Sequence, residues 1–463
     1  MKLVILIGFK FIRRQIRWVG LFFIILFFLA VLQIKFKSFY STDYLSEGFV
    51  GTYQEHDIPE EVKRLLSDSL VILDKSGRIK PNLSEKWDVN KDATQYKFII
   101  KDNLYWADGS KIKSHDLELN IPDAEITTAD DKTIQFKLKE PYSPFPSLLT
   151  KPVFKKGTKI GTGPYQIKKI EKSRIFITKI TLESIKGDLP TLYIRFYPNE
   201  KVAQTGFYLG EVQALFGVTN PRVFNKNSIT GVKQKVDYSK IVTILYNTKD
   251  PLFSNRSFRQ ALSFQAPKIA GEEEANSPFP KFHWVYNEGA KKYLANPKEA
   301  QDAFERAKSN LAEDKLKESI SLTSTPSLEE VARQIITNWN QLGFDIKLRI
   351  ESGIPQNFQS LLITQSIPAD PDQYFLWHST QTNTNLSKYS ADCCPSSARV
   401  DKDLEDGRKA TIEDDRKSNY FDFQKTLMED SPATFLYFPK YNIVYLKKAE
   451  KNLEKVLKLQ VFN

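Results

Sequence analysis

The sequence predicts an α/β protein of two or three domains behind an N-terminal transmembrane helix, and three observations carry that prediction. Residues 320–350 read as strand, helix, strand, which implies a parallel sheet in the second half. Short stretches of the first half alternate apolar and polar residues between Asp, Gly, Asn and Pro turns, the pattern of antiparallel β-structure. Trp18 to Ile34 form an apolar run without a charge. The chain has 463 residues, and at roughly 100 to 200 residues per domain this gives two or three domains. Its 41% hydrophobic and 27% charged residues suffice for buried cores and exclude a disordered or collagen-like chain.

Taken in order, residues 1–17 are a basic segment and 18–34 a transmembrane signal anchor. The anchor's only polar residue is Gln33, and as a helix it spans about 26 Å, enough for a hydrocarbon core. No A-x-A site follows, because Phe28 stands two positions before Ala30. Lys10, Arg13, Arg14 and Arg17 precede the run, which puts the N-terminus in the cytoplasm and the bulk of the chain outside it. Residues 1–40 hold seven basic residues and no acidic one; removing these from the net +11 leaves +4 for the other 423. The excess belongs to membrane topology, and no nucleic-acid partner is expected.

Gln95–Ile100 and Thr133–Leu138 read as strands. Gly161-Thr-Gly-Pro-Tyr165 lacks phosphate-loop spacing, and its two glycines fit a backbone crossing. Asn296-Pro297 opens a helix with Ala300, Ala303, Phe304, Ala307 and Leu311 on one side. Ser327-Leu-Glu-Glu330 reads as a capping box for a helix with Val331, Ile335, Ile336, Trp339 and Leu342 as its stripe, ended by Gly343. Phe344, Ile346, Leu348 and Ile350 then alternate as a strand. Adjacent Cys393 and Cys394 exclude a long-range disulfide framework; a pair of free thiols in a loop is expected, with a vicinal disulfide as the alternative.

Catalytic constellations are wanting. His56, His115, His283 and His378 show no metal-ligand spacing, so neither a metal nor another cofactor is expected. Ser110-Lys-Ile-Lys113 matches S-x-x-K, but S-D-N and K-T-G partners are absent and the match follows the turn Trp106-Ala-Asp-Gly109. An enzyme is not expected, and an anchored serine enzyme rests on Ser110 and Lys113 alone.

The order of short motifs resembles bacterial extracellular solute-binding proteins of family 5, the dipeptide- and oligopeptide-binding components of ABC transporters. These are Glu47-Gly-Phe-Val-Gly51, Pro81-Asn-Leu-Ser-Glu-Lys-Trp87, Tyr96-Lys-Phe98 with Trp106-Ala-Asp-Gly109, Gly161-Thr-Gly-Pro-Tyr165, Arg256-Ser-Phe-Arg-Gln-Ala-Leu262, Leu342-Gly-Phe-Asp-Ile346, Asp370-Pro-Asp372 and Asp430-Ser-Pro-Ala433. The resemblance implies a periplasmic-binding-protein-like two-lobe fold, type II, of the peptide-binding cluster, with a β-rich inserted domain reduced here because only Ser110 to Ile160 fills its place. It divides the chain into lobe I (41–90), the inserted domain (91–160), lobe I again (161–250), lobe II (251–435) and a return to lobe I (436–463). Pro267 stands where the helix after R-Q-A-L usually continues, so that helix is expected to end early.

The resemblance also implies a cleft. The strand end Thr364, Gln365 and Ser366 would pair with an extended ligand, with Tyr374, Trp377, Phe282 and Trp284 as apolar walls and Glu47 as the first-lobe candidate. Trp377 and Tyr374 read equally well as core, and Asp370 and Asp372 better as a helix cap and a loop-fixing carboxylate than as ligand contacts. Ile367 occupies the position where the family's peptide binders carry an aspartate for the ligand's amino group, which costs a free peptide a charge-assisted bond. The expected partners are a small, peptide-like solute, an ABC permease with its ATPase, and the membrane through residues 18–34, for a monomer. The rival reading is a ligand-free sensor or cell-surface interaction protein on the same scaffold.

Overall fold

The computed structural model describes residues 43–459 apart from 225–227, 313–314 and 316–317, so the apolar run Trp18–Ile34 lies outside the described residues. Among the described residues no helix is long and apolar enough to cross a membrane.

Tyr44–Val50 alternates so that Leu45, Glu47 and Phe49 share one face, and it becomes the central strand of a seven-stranded sheet. It pairs in parallel with Thr191–Tyr197 and Ala214–Phe216. Phe176–Ser184 and Tyr165–Ser173 extend the sheet on one side, Lys440–Leu446 and Thr230–Val236 on the other. Val62, Leu65 and Leu66 of helix Glu60–Leu66 and Leu453 and Val456 of helix Glu450–Leu457 cover Leu45 and Phe49. Gly161 and Gly163 cross the end of the first helix: a Cβ at 161 would fall on the Leu66 carbonyl oxygen and one at 163 on that of Leu65. The pentapeptide is the close backbone approach expected of it.

A four-stranded antiparallel sheet takes Ser84–Val89, Gln95–Ile100, Thr133–Leu138 and Ala124–Thr128 in that spatial order. Tyr96, Phe98 and Ile100 bury one face against Phe136, Phe145 and Trp106. Leu70 and Val71 belong to the same core, so this domain begins near Ser69 rather than at residue 91.

The second half builds a six-stranded mixed sheet in the order Glu273–Glu274, Ala433–Phe438, Lys240–Tyr246, Ser360–Ser366, Ile320–Ser324, Ile346–Ile350. Ile320–Ser324 and Ile346–Ile350 are parallel and joined through helix Glu329–Trp339, the expected βαβ unit. The capping box is not formed. Pro326 starts a 3-10 turn, Pro326–Leu328, that leads into the helix without a side-chain cap, since its fixed φ presets the first turn and it has no N–H to satisfy. Gly343 ends the element with φ 90°. The Asn296 cap forms, its Oδ1 accepting from Glu299 N at 3.3 Å.

Helix Arg256–Gln265 stops before Pro267, as expected. Its Arg259 is wholly buried and donates to the carbonyls of Phe253, Ser254, Asp430 and Ser431 and to Cys394 Sγ at 3.1 Å. Four carbonyl acceptors satisfy a guanidinium that pairs with no carboxylate among the described residues. Cys393 and Cys394 are joined in a vicinal disulfide, so the expectation of free thiols is corrected. Ser390, three residues earlier, accepts backbone bonds from both N–H groups and holds the pair in one tight turn.

The chain crosses between the two large sheets twice, at residues 237–239 and at Pro439, and the crossings touch through Asp237 N donating to Pro439 O at 2.8 Å. Lys240–Tyr246 therefore lies in the second sheet, and the crossing comes before the expected residue 250.

Candidate functional site

The strand Ser360–Ser366 leaves the core as it runs. Leu361, Leu362 and Ile363 are buried, whereas Thr364 and Ser366 are exposed and Gln365 half-buried. On one side it pairs along its whole length with Lys240–Tyr246. On the other, Ile320–Ser324 accompanies it only from Ser360 to Leu362. Past Leu362 no strand among the described residues lies on that edge, which leaves the four residues Ile363–Ser366 for an added segment. Ile367 follows, half-buried against the second core, with its N–H on Ser239 O at 2.7 Å.

The next turn is fixed by charge. Asp370 Oδ1 accepts from Asp372 N at 3.0 Å and from Arg416 Nη2 at 2.6 Å. Asp372 Oδ1 accepts from Tyr374 N at 3.1 Å, opening the short helix Tyr374–Trp377, and its Oδ2 lies 3.0 Å from Arg408 Nε, an ion pair without the alignment of a hydrogen bond. Burial pushes the Asp372 carboxyl up to about 6 against the pull of Arg408. The Asp370 carboxylate raises the Arg416 guanidinium further, outweighing its burial. Both carboxylates thus fix a loop and a helix start.

A cavity of about 200 Å³ lies where the β-rich domain meets the second lobe, lined from the first side by Arg78, Trp87 and Tyr96 and from the second by Trp284, Asp370 and Arg416. Trp284 is nearly buried, with the Arg78 and Arg416 guanidinium carbons 5.7 and 5.8 Å from its ring centre. The two sides are tied by Arg78 Nε to Glu413 Oε1 at 2.9 Å, Trp284 N to Ser76 O at 3.0 Å and Ser143 N to Arg408 O at 2.7 Å. The junction is closed in this conformation.

The other candidates separate. Tyr374 is half-buried between His378 (ring centres 4.0 Å apart) and Arg408 (4.2 Å). Trp377 is core, its Nε1 donating to Gln373 Oε1 at 2.8 Å, so it is not a pocket wall. Phe282 is exposed beside Tyr238 at a crossing, with no part in the cavity that Trp284 lines. Glu47 lies inside the first core, both oxygens without a hydrogen bond, its carboxyl pushed up to about 8 by burial. It faces no cleft here. Ser110 Oγ donates to Asp108 Oδ1 at 2.6 Å and accepts from Lys155, while Lys113 pairs with Asp131; the pair is a surface turn. Arg78, Arg408 and Arg416 escaped sequence reasoning because each pairs with a residue far off in the chain and none stands in a motif.

Two sheet-built lobes crossed twice by the chain, with an open strand edge in the second and a cavity where the second meets the β-rich domain, are the architecture of a two-lobe binding protein. The model of bacterial extracellular solute-binding proteins, family 5 (middle region), matches residues 119–386, more than half of the sequence, and the chain belongs to that family. It is 22% identical over 341 residues to the dipeptide-binding protein of Escherichia coli, covering 58% of this chain and 62% of that one. It is 21% identical over 471 residues to the oligopeptide-binding protein AppA of Bacillus subtilis, covering 87% and 86%. Among solved structures, NikZ from Campylobacter jejuni in complex with Ni(L-His) superposes with a TM-score of 0.66 at 20% identity, over 88% of this chain and 94% of that one. That likeness is one of fold.

Proposed function

We propose that this chain is a membrane-anchored extracytoplasmic solute-binding protein that captures a peptide-like or other small solute between two lobes for an ABC-type importer. The observation that carries the reading is the open edge of Ile363–Ser366, where an extended ligand adds as a strand through its main chain. Trp284 supplies an aromatic wall to the cavity between the β-rich domain and the second lobe. The Trp18–Ile34 run supplies the anchor, with the basic segment in the cytoplasm, and a permease with its ATPase is the partner that would receive the solute. Main-chain pairing needs no charge partner for a peptide amino group, which accommodates Ile367 and favours blocked, cyclic or otherwise uncharged peptide-like solutes.

Native mass spectrometry of the full chain, extracted in mild detergent from its source without refolding, tests this. A discrete co-purified mass of peptide-like composition is the expected result. A clean apo mass, with no thermal shift across a peptide and metabolite panel, would overturn it in favour of the ligand-free interaction protein, the reading that Ile367 and the two occupied carboxylates favour.

A further inference from the structure

One end of the first sheet carries an apolar patch beside a lysine-rich segment, and it is the end at which the chain enters the central strand. The parallel register sets Tyr44 beside Thr191 and places the residues just before Ala214 at the same end. Helix Glu200–Tyr208 runs down to that end and leaves Tyr208 and Leu209 58% and 73% exposed. Tyr208 Oη donates to Val223 O at 3.2 Å, and its ring stacks on Phe224. Thr230 Oγ1 donates to Phe224 O at 2.9 Å, so Ile229, 62% exposed, lies against the same turn. Four exposed apolar side chains in one place differ from the single ones any surface carries.

Glu450 and Glu454 pair with Lys233, so the charge left without an ion pair on the segment 447–458 is basic. Lys447 N donates to Ile229 O at 2.9 Å, which puts the start of the segment 447–458 on the patch. The same segment returns beside the chain start, where Asn452 Nδ2 donates to Tyr44 O at 3.2 Å and Lys455 pairs with Asp43. Lys447, Lys448, Lys451 and Lys458 are exposed, and none makes an ion pair among the described residues.

We propose that this end of the first lobe is a membrane-contact surface, with Tyr208, Leu209, Val223 and Ile229 entering the headgroup layer of an anionic phospholipid bilayer and the lysines of 447–458 meeting its phosphates. The inference rests on the reading of Trp18–Ile34 as an anchor. Between Ile34 and Asp43 stand residues 35–42 alone, a reach of at most about 29 Å at 3.6 Å per residue. A tether that short holds Tyr44, and the patch around it, against the bilayer surface at high effective concentration.

The test uses the full chain carrying Leu209→Cys, reconstituted in phosphatidylcholine vesicles with and without phosphatidylglycerol and labelled at residue 209 with an environment-sensitive fluorophore. Since Cys393 and Cys394 are joined, residue 209 is the sole thiol, and Ile412→Cys, 61% exposed on the second lobe, is the control. Quenching by spin-labelled lipid at 209 but not at 412, strengthened by phosphatidylglycerol and lost at raised salt, is expected. Replacing Lys447, Lys448 and Lys451 with Gln should lower the contact equilibrium roughly a hundredfold, at about fivefold per lysine. Equal quenching at both positions overturns the proposal. Alkaline carbonate extraction reports the anchor separately: a chain that is extracted yet quenched at 209 refutes the anchor and keeps the surface, and one extracted and unquenched refutes both.

Discussion

At the residue scale, the most consequential group is Glu47, a carboxyl with no hydrogen bond in the first core. Its folded pKa of about 8 lies above the ordinary value of 4.5 for an exposed glutamate, so the folded chain holds a proton that the unfolded chain releases between those values. Stability is therefore full below about 4.5 and falls as pH rises through 8, by about 1.4 kcal/mol per unit of difference. Urea unfolding of Glu47→Gln across this window should show a flatter pH profile and a gain at pH 8. At the D-P-D turn the argument is the opposite, since charge there is paired. Asp370→Ala leaves Arg416 buried and uncompensated and should cost about 3 to 5 kcal/mol in unfolding free energy. Arg416→Met in the same chain should restore part of it. Gly161→Ala drives a methyl into the Leu66 carbonyl and should cost about 3 kcal/mol or more, read as a lowered melting temperature.

At the element scale, the strand Ser360–Ser366 joins stability to function. Its first half is locked between two strands and its last four residues have one neighbour, so the first half holds the fold and the second is available to a ligand. Amide exchange at 364–366 should slow at least tenfold when the co-purified solute is bound, while exchange in Lys240–Tyr246 stays unchanged. Exchange unchanged at both places would move the binding site elsewhere. Helix Arg256–Gln265 shows how a motif acts structurally: the Asn255 cap and Pro267 set its ends, and Arg259 ties it to four carbonyls. The early end at Pro267 was legible in the sequence after R-Q-A-L. The carbonyls were not, because Asp430 and Ser431 stand far along the chain.

At the scale of the whole molecule, two short crossings that touch at Asp237 and Pro439 are where a closure of the lobes would turn, and the contacts of Arg78 with Glu413 and Trp284 tie the β-rich domain to the second lobe. The Arg78–Glu413 pair is exposed and contributes about 1 kcal/mol or less, which suits a closure that must reverse. Arg78→Glu should raise the radius of gyration in X-ray scattering and weaken solute binding several-fold without lowering the melting temperature by more than a few degrees.

By itself the sequence determined the local elements: the βαβ unit, the alternating strands of the inserted domain, the glycine crossing at 161 and 163, and the end of the helix at Pro267. These follow from periodicity and backbone geometry within a few residues, and the ordered motifs set the family. Only the tertiary structure decided which polar groups are answered. It sealed Glu47 in a core, made Trp377 a core residue, and set Arg416 and Arg408 on Asp370 and Asp372. The physical reason is reach: burial and ion pairing join residues that the chain keeps far apart, and no local pattern encodes which ones will meet.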